Sequence, residues 1–136
     1  MAASPQFAAT PKIGQVALAA TADASLTNPV TSVSGAIVTG TTLGTRVNRI
    51  QVVATATTAA GIVRLFLHNG SAFIGLIAEV PVTAITPSAT VAAFSSTLSD
   101  QINTDILPIT LPSGFSIRAT TSVAQTFSVM IHGADL

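Results

Sequence analysis

Charged side chains are scarce in this chain of 136 residues. Five Lys or Arg and five Asp or Glu make up 7% of the sequence, and their formal charges cancel, whereas about 25% is usual in globular domains. A neutral chain with so few cations cannot neutralise a run of phosphates, so we expect no nucleic-acid partner. Disorder is not expected either, because disordered chains combine high charge with low hydrophobicity, and 49% of these residues are hydrophobic.

Cysteine, tryptophan and tyrosine are absent. Without cysteine there can be no disulfide, thiolate metal site or thiol nucleophile. Without Trp or Tyr, the aromatic platforms that usually stack on sugars or single-stranded nucleic acid are missing. No apolar run reaches the roughly 18 residues of a membrane-spanning helix, because Arg64 interrupts the most apolar stretch, residues 59–67. We therefore expect no membrane partner.

What is present is the pattern of a β-protein. About eight short segments rich in Val, Ile, Thr and Phe are separated by Gly, Pro and Asn turns, and no segment has helical periodicity. This pattern predicts an all-β fold, a β-sandwich in which the mixture of long connections and close hairpins favours a jelly roll over an immunoglobulin-like arrangement. We predict a single sandwich domain over residues 12–136, closed by a hairpin between strands 115–122 and 126–132.

The clearest local signal is Asn69-Gly70, which lies between two β-forming runs, 62–68 and 72–80. Asn-Gly is a strong hairpin cue, because a type I′ turn needs two residues with positive φ. A turn centred on this pair makes both faces of the hairpin apolar, although a water-exposed face is normally polar. The second face therefore needs cover, either from another sheet or from another subunit. On that face the predicted pairs are Ile62 with Ile77 and Phe66 with Phe73, with Arg64 beside Gly75, and we predict an oligomer interface formed by Ile62, Arg64, Phe66, Phe73 and Ile77.

Few residues are candidates for catalysis. His132 precedes Asp135 by three residues and His68 flanks the Asn-Gly turn, but neither accompanies a serine in a strained Gly-x-Ser-x-Gly turn. Asp100 and Asp105 lie in a polar loop, where solvated carboxylates are common. Neither calcium-loop spacing nor a glycine-rich phosphate loop is found. We predict no catalytic residue, no cofactor and no metal site.

The amino-terminal residues 1–11 contain two prolines and no periodic pattern. Proline biases the preceding residue toward extended geometry, so this segment is predicted to be an extended arm rather than a helix. Such an arm either contacts a neighbouring subunit or is a frayed terminus. The residues predicted to make such a contact are Pro5, Gln6, Phe7 and Pro11.

Three arginines are predicted to lie in mid-strand on faces opposite the apolar rows. They are Arg49, Arg64 and Arg118. Such a side chain is either solvated, with its apolar stem along the sheet, or paired with an acidic group. For Arg64 the second possibility is a partner across a subunit contact, which would fix the register of association.

The chain from Arg46 to Leu136 also contains a characteristic order of motifs. The motifs are Arg46-Val47-Asn48-Arg49-Ile50, residues 61–67, 79–82 and 86–90, Leu111-Pro112-Ser113-Gly114-Phe115, and residues 132–135. This order resembles small virion proteins of tailed bacteriophages, which are β-sandwich or jelly-roll proteins and include capsid decoration (cement) proteins. The resemblance implies a structural, non-enzymatic homotrimer on the capsid surface, with the major capsid protein and itself as partners. It leaves open a tail, fibre or head-fibre component, and a carbohydrate-binding β-sandwich module remains a further alternative.

Overall fold

A computed structural model of the chain describes residues 10–18, 20–29 and 34–136. In these ranges the chain forms strands and no helix, which confirms the predicted all-β class. The strands are β1 (Thr10–Leu18), β2 (Val38–Thr39), β3 (Thr45–Ala54), β4 (Gly61–His68), β5 (Phe73–Val82), β6 (Ser95–Ser99), β7 (Ile109–Leu111), β8 (Ser116–Thr121) and β9 (Phe127–Asp135).

The strands form two antiparallel sheets in a sandwich-like arrangement. The first sheet has the order β1-β9-β3-β6, and the short strand β7 pairs with β3 on the same side as β6. The second sheet has the order β2-β8-β4-β5. Proline on both sides of β7 restricts it to three residues at a sheet edge. The β-forming run of residues 90–98 favours a longer strand than the structure shows, since β6 begins only at Ser95.

The apolar core draws on both sheets. In β3, Ile50, Val52 and Ala54 are buried, whereas Arg49 and Gln51 point outward. This is the predicted alternation, since successive side chains of a strand point to opposite faces. The buried residues that the other strands contribute include Val63, Leu65, Val80, Ile117, Ala119, Phe127, Val129 and Ile131.

The last two strands lie in different sheets, so the predicted closing hairpin is wrong. Strand β8 pairs with β2 and β4, whereas β9 pairs with β1 and β3. The connection between them crosses from one sheet to the other and is fixed by Gln125, whose Oε1 accepts a hydrogen bond from the Ala59 amide at 2.8 Å. A short connection is compatible both with a hairpin within one sheet and with a crossing between two sheets, because in both cases each strand keeps one apolar face toward the core.

The β4–β5 hairpin turns at Asn69-Gly70, as predicted, but not through a type I′ turn. Gly70 has a φ of +98°, and no non-glycine residue in the described ranges has a positive φ. Asn69 Oδ1 accepts a hydrogen bond from the Ala72 amide at 2.8 Å, and the loop spans residues 69–72. Pairing therefore starts with His68 opposite Phe73.

Two irregularities then shift the register of this hairpin. Each adds an unpaired residue to β5, and these residues are Ile77 and Ile74. Such a bulge locally reverses the alternation of faces. Ile77 consequently packs against the core and Ile74 is exposed. The predicted pairs Ile62–Ile77, Phe66–Phe73 and Arg64–Gly75 are wrong, and the observed partners are Pro81 for Ile62, Leu76 for Phe66 and Glu79 for Arg64.

Candidate interaction surface

The five residues predicted to form an oligomer interface do not share one open face. Phe66 is 0% exposed and Arg64 is buried, whereas Ile62 and Phe73 are half-buried. Ile77 packs against the core between the sheets. Within this group, Ile62 and Phe73 are the partly exposed apolar residues that do not pack against the core, so they are the ones that a partner could contact on the hairpin.

Phe66 forms a small aromatic cluster on the outer face of the second sheet. Its ring packs edge to face on Phe73, with ring centroids 5.6 Å apart. The Phe73 ring also contacts the imidazole of His68, at a centroid distance of 4.9 Å. The expectation that the second face of the hairpin needs cover holds at Phe66, and that cover comes from within the chain.

Arg64 is buried on the same face, between two polar neighbours in the adjacent strands. Glu79 lies opposite it in β5 and Thr120 opposite it in β8. Arg64 Nε is 3.5 Å from Glu79 Oε1, but the pair lacks the geometry of a hydrogen bond, and Nε and Nη1 are buried without a hydrogen-bond partner in the described residues. The acidic partner of Arg64 is therefore in its own chain. Glu79 is exposed whereas Arg64 is buried, so removing the Glu79 carboxylate would leave a buried guanidinium without its acidic partner, which is destabilising.

A second ionic cluster, which the sequence did not indicate, joins the first and last strands. Lys12 Nζ lies 3.2 Å from Asp135 Oδ1, and Thr45 Oγ1 donates to the same oxygen at 2.7 Å. The hydrogen bond from Thr45, together with the hydrogen bond and charge of Lys12, lowers the pKa of Asp135. Strands β1, β3 and β9 are thus tied together at one end. The contact spans most of the chain, so no local motif could have predicted it.

The residues considered for catalysis do not combine into a site. His132 and Asp135 lie on opposite faces of β9: His132 is on the outer face beside Arg49, and Asp135 is bonded to Thr45. His68 accepts a hydrogen bond from a turn amide and is packed against an aromatic ring. The carboxylate of Asp135 therefore does not orient His132.

The proposed amino-terminal arm falls largely outside the described residues. Pro5, Gln6 and Phe7 lie outside them. Pro11 is in β1 opposite Ala134, so the strand begins earlier than the sequence predicted. Because β1 is an edge strand, the missing N–H of a proline can be accommodated there.

Several large apolar side chains are exposed on the described part of the chain. Ile13 lies on edge strand β1 and Ile74 on edge strand β5. Ile74, which is 53% exposed, is brought to the surface by a bulge that has no sequence signal. The other large apolar residues that are about half or more exposed are Leu26, Leu43, Val91 and Ile102.

In the ranges that the structure describes, no three His, Asp or Glu side chains are grouped so that they could hold a metal ion. These ranges also contain no helix of the length and apolarity needed to cross a membrane. No protein-family model and no curated protein matches the chain.

Proposed function

We propose that this is a structural virion protein, a capsid decoration protein that binds the outer surface of a tailed-bacteriophage head as a homotrimer. Its partners are the major capsid protein and further copies of itself, and it carries out no reaction. The observation that carries the proposal is the combination of exposed apolar side chains on edge strands β1 and β5 with a chain that has almost no charge. A surface of that kind favours association through apolar burial.

We also propose that the sandwich is a jelly roll, and the strand pairing supports this. Strand β1 pairs with β9, β2 with β8, β3 with β6, and β4 with β5. A long antiparallel hairpin rolled into two sheets gives this order. The first strand then pairs with the last, the second with the one before the last, and so on toward the centre of the chain. In an immunoglobulin-like sandwich the first strand instead pairs with the second. Jelly rolls include viral capsid domains and lectins.

The edge strands favour contacts between copies through the faces of the sheets, rather than by addition of a strand from one copy to a sheet edge of another. Edge strand β1 contains Pro11 and edge strand β5 contains Pro81. Proline at an edge blocks open-ended pairing with another sheet. We therefore place the contact between copies at Ile74 and at the half-buried Ile62 and Phe73. The contact with the shell is placed in the amino-terminal residues, including Pro5, Gln6 and Phe7.

Replacing Ile74 with Asp tests the proposed assembly. In sedimentation equilibrium the wild-type protein is expected to have three times the mass of one chain, and the Ile74→Asp variant the mass of one chain. Because Ile74 is exposed, the substitution should not unfold the chain. The variant should therefore still show a thermal unfolding transition, as a folded monomer does. The matched control is Thr57→Asp, which adds the same charge at another exposed position and should leave the trimer intact.

A wild-type protein that stays monomeric at high concentration would contradict the trimer. Co-sedimentation of the purified protein with isolated heads and with isolated tails then tests the location. Binding to heads supports decoration of the capsid. Binding to tails alone would assign the protein to the tail or fibre instead.

A further inference from the structure

A polar cleft lies on the outer face of the first sheet, on the opposite side of the molecule from the β4–β5 hairpin. Its floor is a row of neighbouring side chains, because the register places His132 beside Arg49 and Arg49 beside Ser99. Thr97 follows on the same face of β6, two residues from Ser99. The cleft has a volume of about 540 Å³, which is within the range of small-molecule sites.

The wall of this cleft is held in place before any ligand arrives. An irregularity in β3 just before Arg49 leaves both Asn48 and Arg49 exposed, and bulges commonly re-aim side chains in this way. The Asn48 carbonyl accepts a hydrogen bond from the Asp100 amide at 3.0 Å. Asn103 Oδ1 accepts one from the Ser99 amide at 3.1 Å. Such preorganisation lowers the entropy cost of binding.

The cleft contains charged groups with unused hydrogen-bonding capacity. Arg49 and Asp100 both line it, yet within the described ranges neither side chain forms an ion pair or hydrogen bond. His132, in the floor, has a buried Nε2 without a hydrogen-bond partner. A guanidinium donates in a fixed fork and a carboxylate accepts through both oxygens, so each can hold two neighbouring groups of a ligand.

We propose that this cleft binds a neutral saccharide through adjacent hydroxyl groups. Sugar hydroxyls both donate and accept, so they can accept from Arg49, donate to Asp100 and do both with the amides of Asn48 and Gln101. The charges of Arg49 and Asp100 cancel, and the carboxylate repels an anion, so a phosphate group fits less well. Ile102 is 78% exposed and is the one apolar residue in the lining. It supplies an apolar surface for the C–H face of a sugar ring.

This binding does not depend on the proposed assembly, because the cleft and Ile74 belong to different sheets. The test is a titration of isotope-labelled full-length protein, followed by the shifts of its amide resonances in NMR spectra. The probes are the methyl glycosides of glucose, galactose, mannose and N-acetylglucosamine, with sodium phosphate and glycine as separate arms. At least one glycoside is expected to shift the amides of residues 48–49, 97–102 and 132.

Two variants and one control assign the binding to the cleft. Arg49→Ala is expected to weaken binding about tenfold, the usual effect of losing a charge-assisted hydrogen bond, and Asp100→Asn is expected to weaken it as well. Arg46→Ala is the matched control, since Arg46 is an exposed arginine of the same strand that does not line the cleft. It should leave glycoside affinity unchanged. Equal unfolding midpoints show that each variant is folded.

Several outcomes would overturn the proposal. One is the absence of shifts at the cleft amides with every glycoside, and another is unchanged affinity in folded Arg49→Ala. Phosphate binding that Asp100→Asn strengthens, without glycoside binding, would identify an anion site instead. Shifts with glycine alone would identify a site for zwitterions.

Discussion

At the scale of single residues, the turn after β4 depends on a neutral histidine. His68 Nδ1 accepts a hydrogen bond from the Gly70 amide at 3.0 Å, which requires that nitrogen to be unprotonated. Burial and the positive charge of Arg118 lower the pKa of His68 below its ordinary value of 6.5. The unfolded chain regains the ordinary pKa. Between the two pKa values, the unfolded state therefore binds a proton that the folded state does not.

We expect stability to fall as the pH drops below the ordinary pKa of His68. Above that pKa both states are neutral at this residue and its full contribution is present. As the pH falls, protonation of the unfolded chain favours unfolding until the pH has passed the lowered pKa of the folded state. Thermal unfolding midpoints measured across this range check the prediction.

The comparison variant is His68→Asn, whose side-chain oxygen can accept the Gly70 hydrogen bond but does not titrate. The midpoint of the wild-type protein should decrease more steeply with falling pH than that of the variant. Equal slopes would show that His68 does not cause the loss of stability.

Single residues also show where sequence reasoning stops. Strand alternation correctly predicted that Arg49, Arg64 and Arg118 lie on outward faces. It did not predict that Arg64 is buried there beside Glu79, because burial depends on which strands lie alongside and on their register. The grouping of Arg49, Asp100 and His132 in one cleft could not be predicted for the same reason. Arg49 and Asp100 line the same cleft only because β3 pairs with β6 and the following loop folds back on the bulge.

At the scale of elements, two glycines in edge strands test how closely the sheets pack. A Cβ added at Gly14 in β1 would overlap the backbone oxygen of Ile37 and lie 2.8 Å from Val38 Cγ1. A Cβ at Gly75 in β5 would meet no atom within 4 Å. The absence of a side chain at Gly14 therefore allows β1 to approach the residues that lead into β2.

Gly14→Ala should destabilise the protein by about 1–3 kcal/mol, the usual cost of overpacking against atoms that cannot move freely. Gly75→Ala is the matched control and should change the free energy of unfolding by less than about 0.5 kcal/mol. Urea unfolding with a common slope for the three proteins measures both effects. A Gly14→Ala variant as stable as the control would show that the two sheets can separate there without cost.

The elements themselves could be predicted better than their partners. The apolar rows of β3 and β9 and the turn at Asn69-Gly70 follow from local sequence, and the structure confirms them. The register of the β4–β5 hairpin could not be predicted, because the bulges at Ile74 and Ile77 have no local sequence signal. The connection from β8 to β9 is equally ambiguous in sequence. Only the second layer of the sandwich determines that it crosses between sheets.

At the scale of the whole molecule, the scarcity of charge limits how the protein can associate. Within the described residues the ion pairs are Lys12–Asp135 and Arg64–Glu79, and both lie inside one chain. Large apolar side chains, those of Ile13 and Ile74, are exposed on edge strands β1 and β5. If the protein decorates a capsid, apolar burial and backbone hydrogen bonds must provide most of the binding free energy.

Attachment to heads should therefore change little with salt. The Debye length falls from about 30 Å at 0.01 M to about 3 Å at 1 M ionic strength, which would strongly weaken exposed charge pairs. We expect the bound fraction in co-sedimentation with heads to change less than about twofold over that range, since apolar contacts are not screened. Ammonium sulfate at matched ionic strength should strengthen attachment, because excluded salts favour burial of apolar surface. Release of the protein from intact heads by sodium chloride would contradict this mechanism and would indicate a charged contact with the shell.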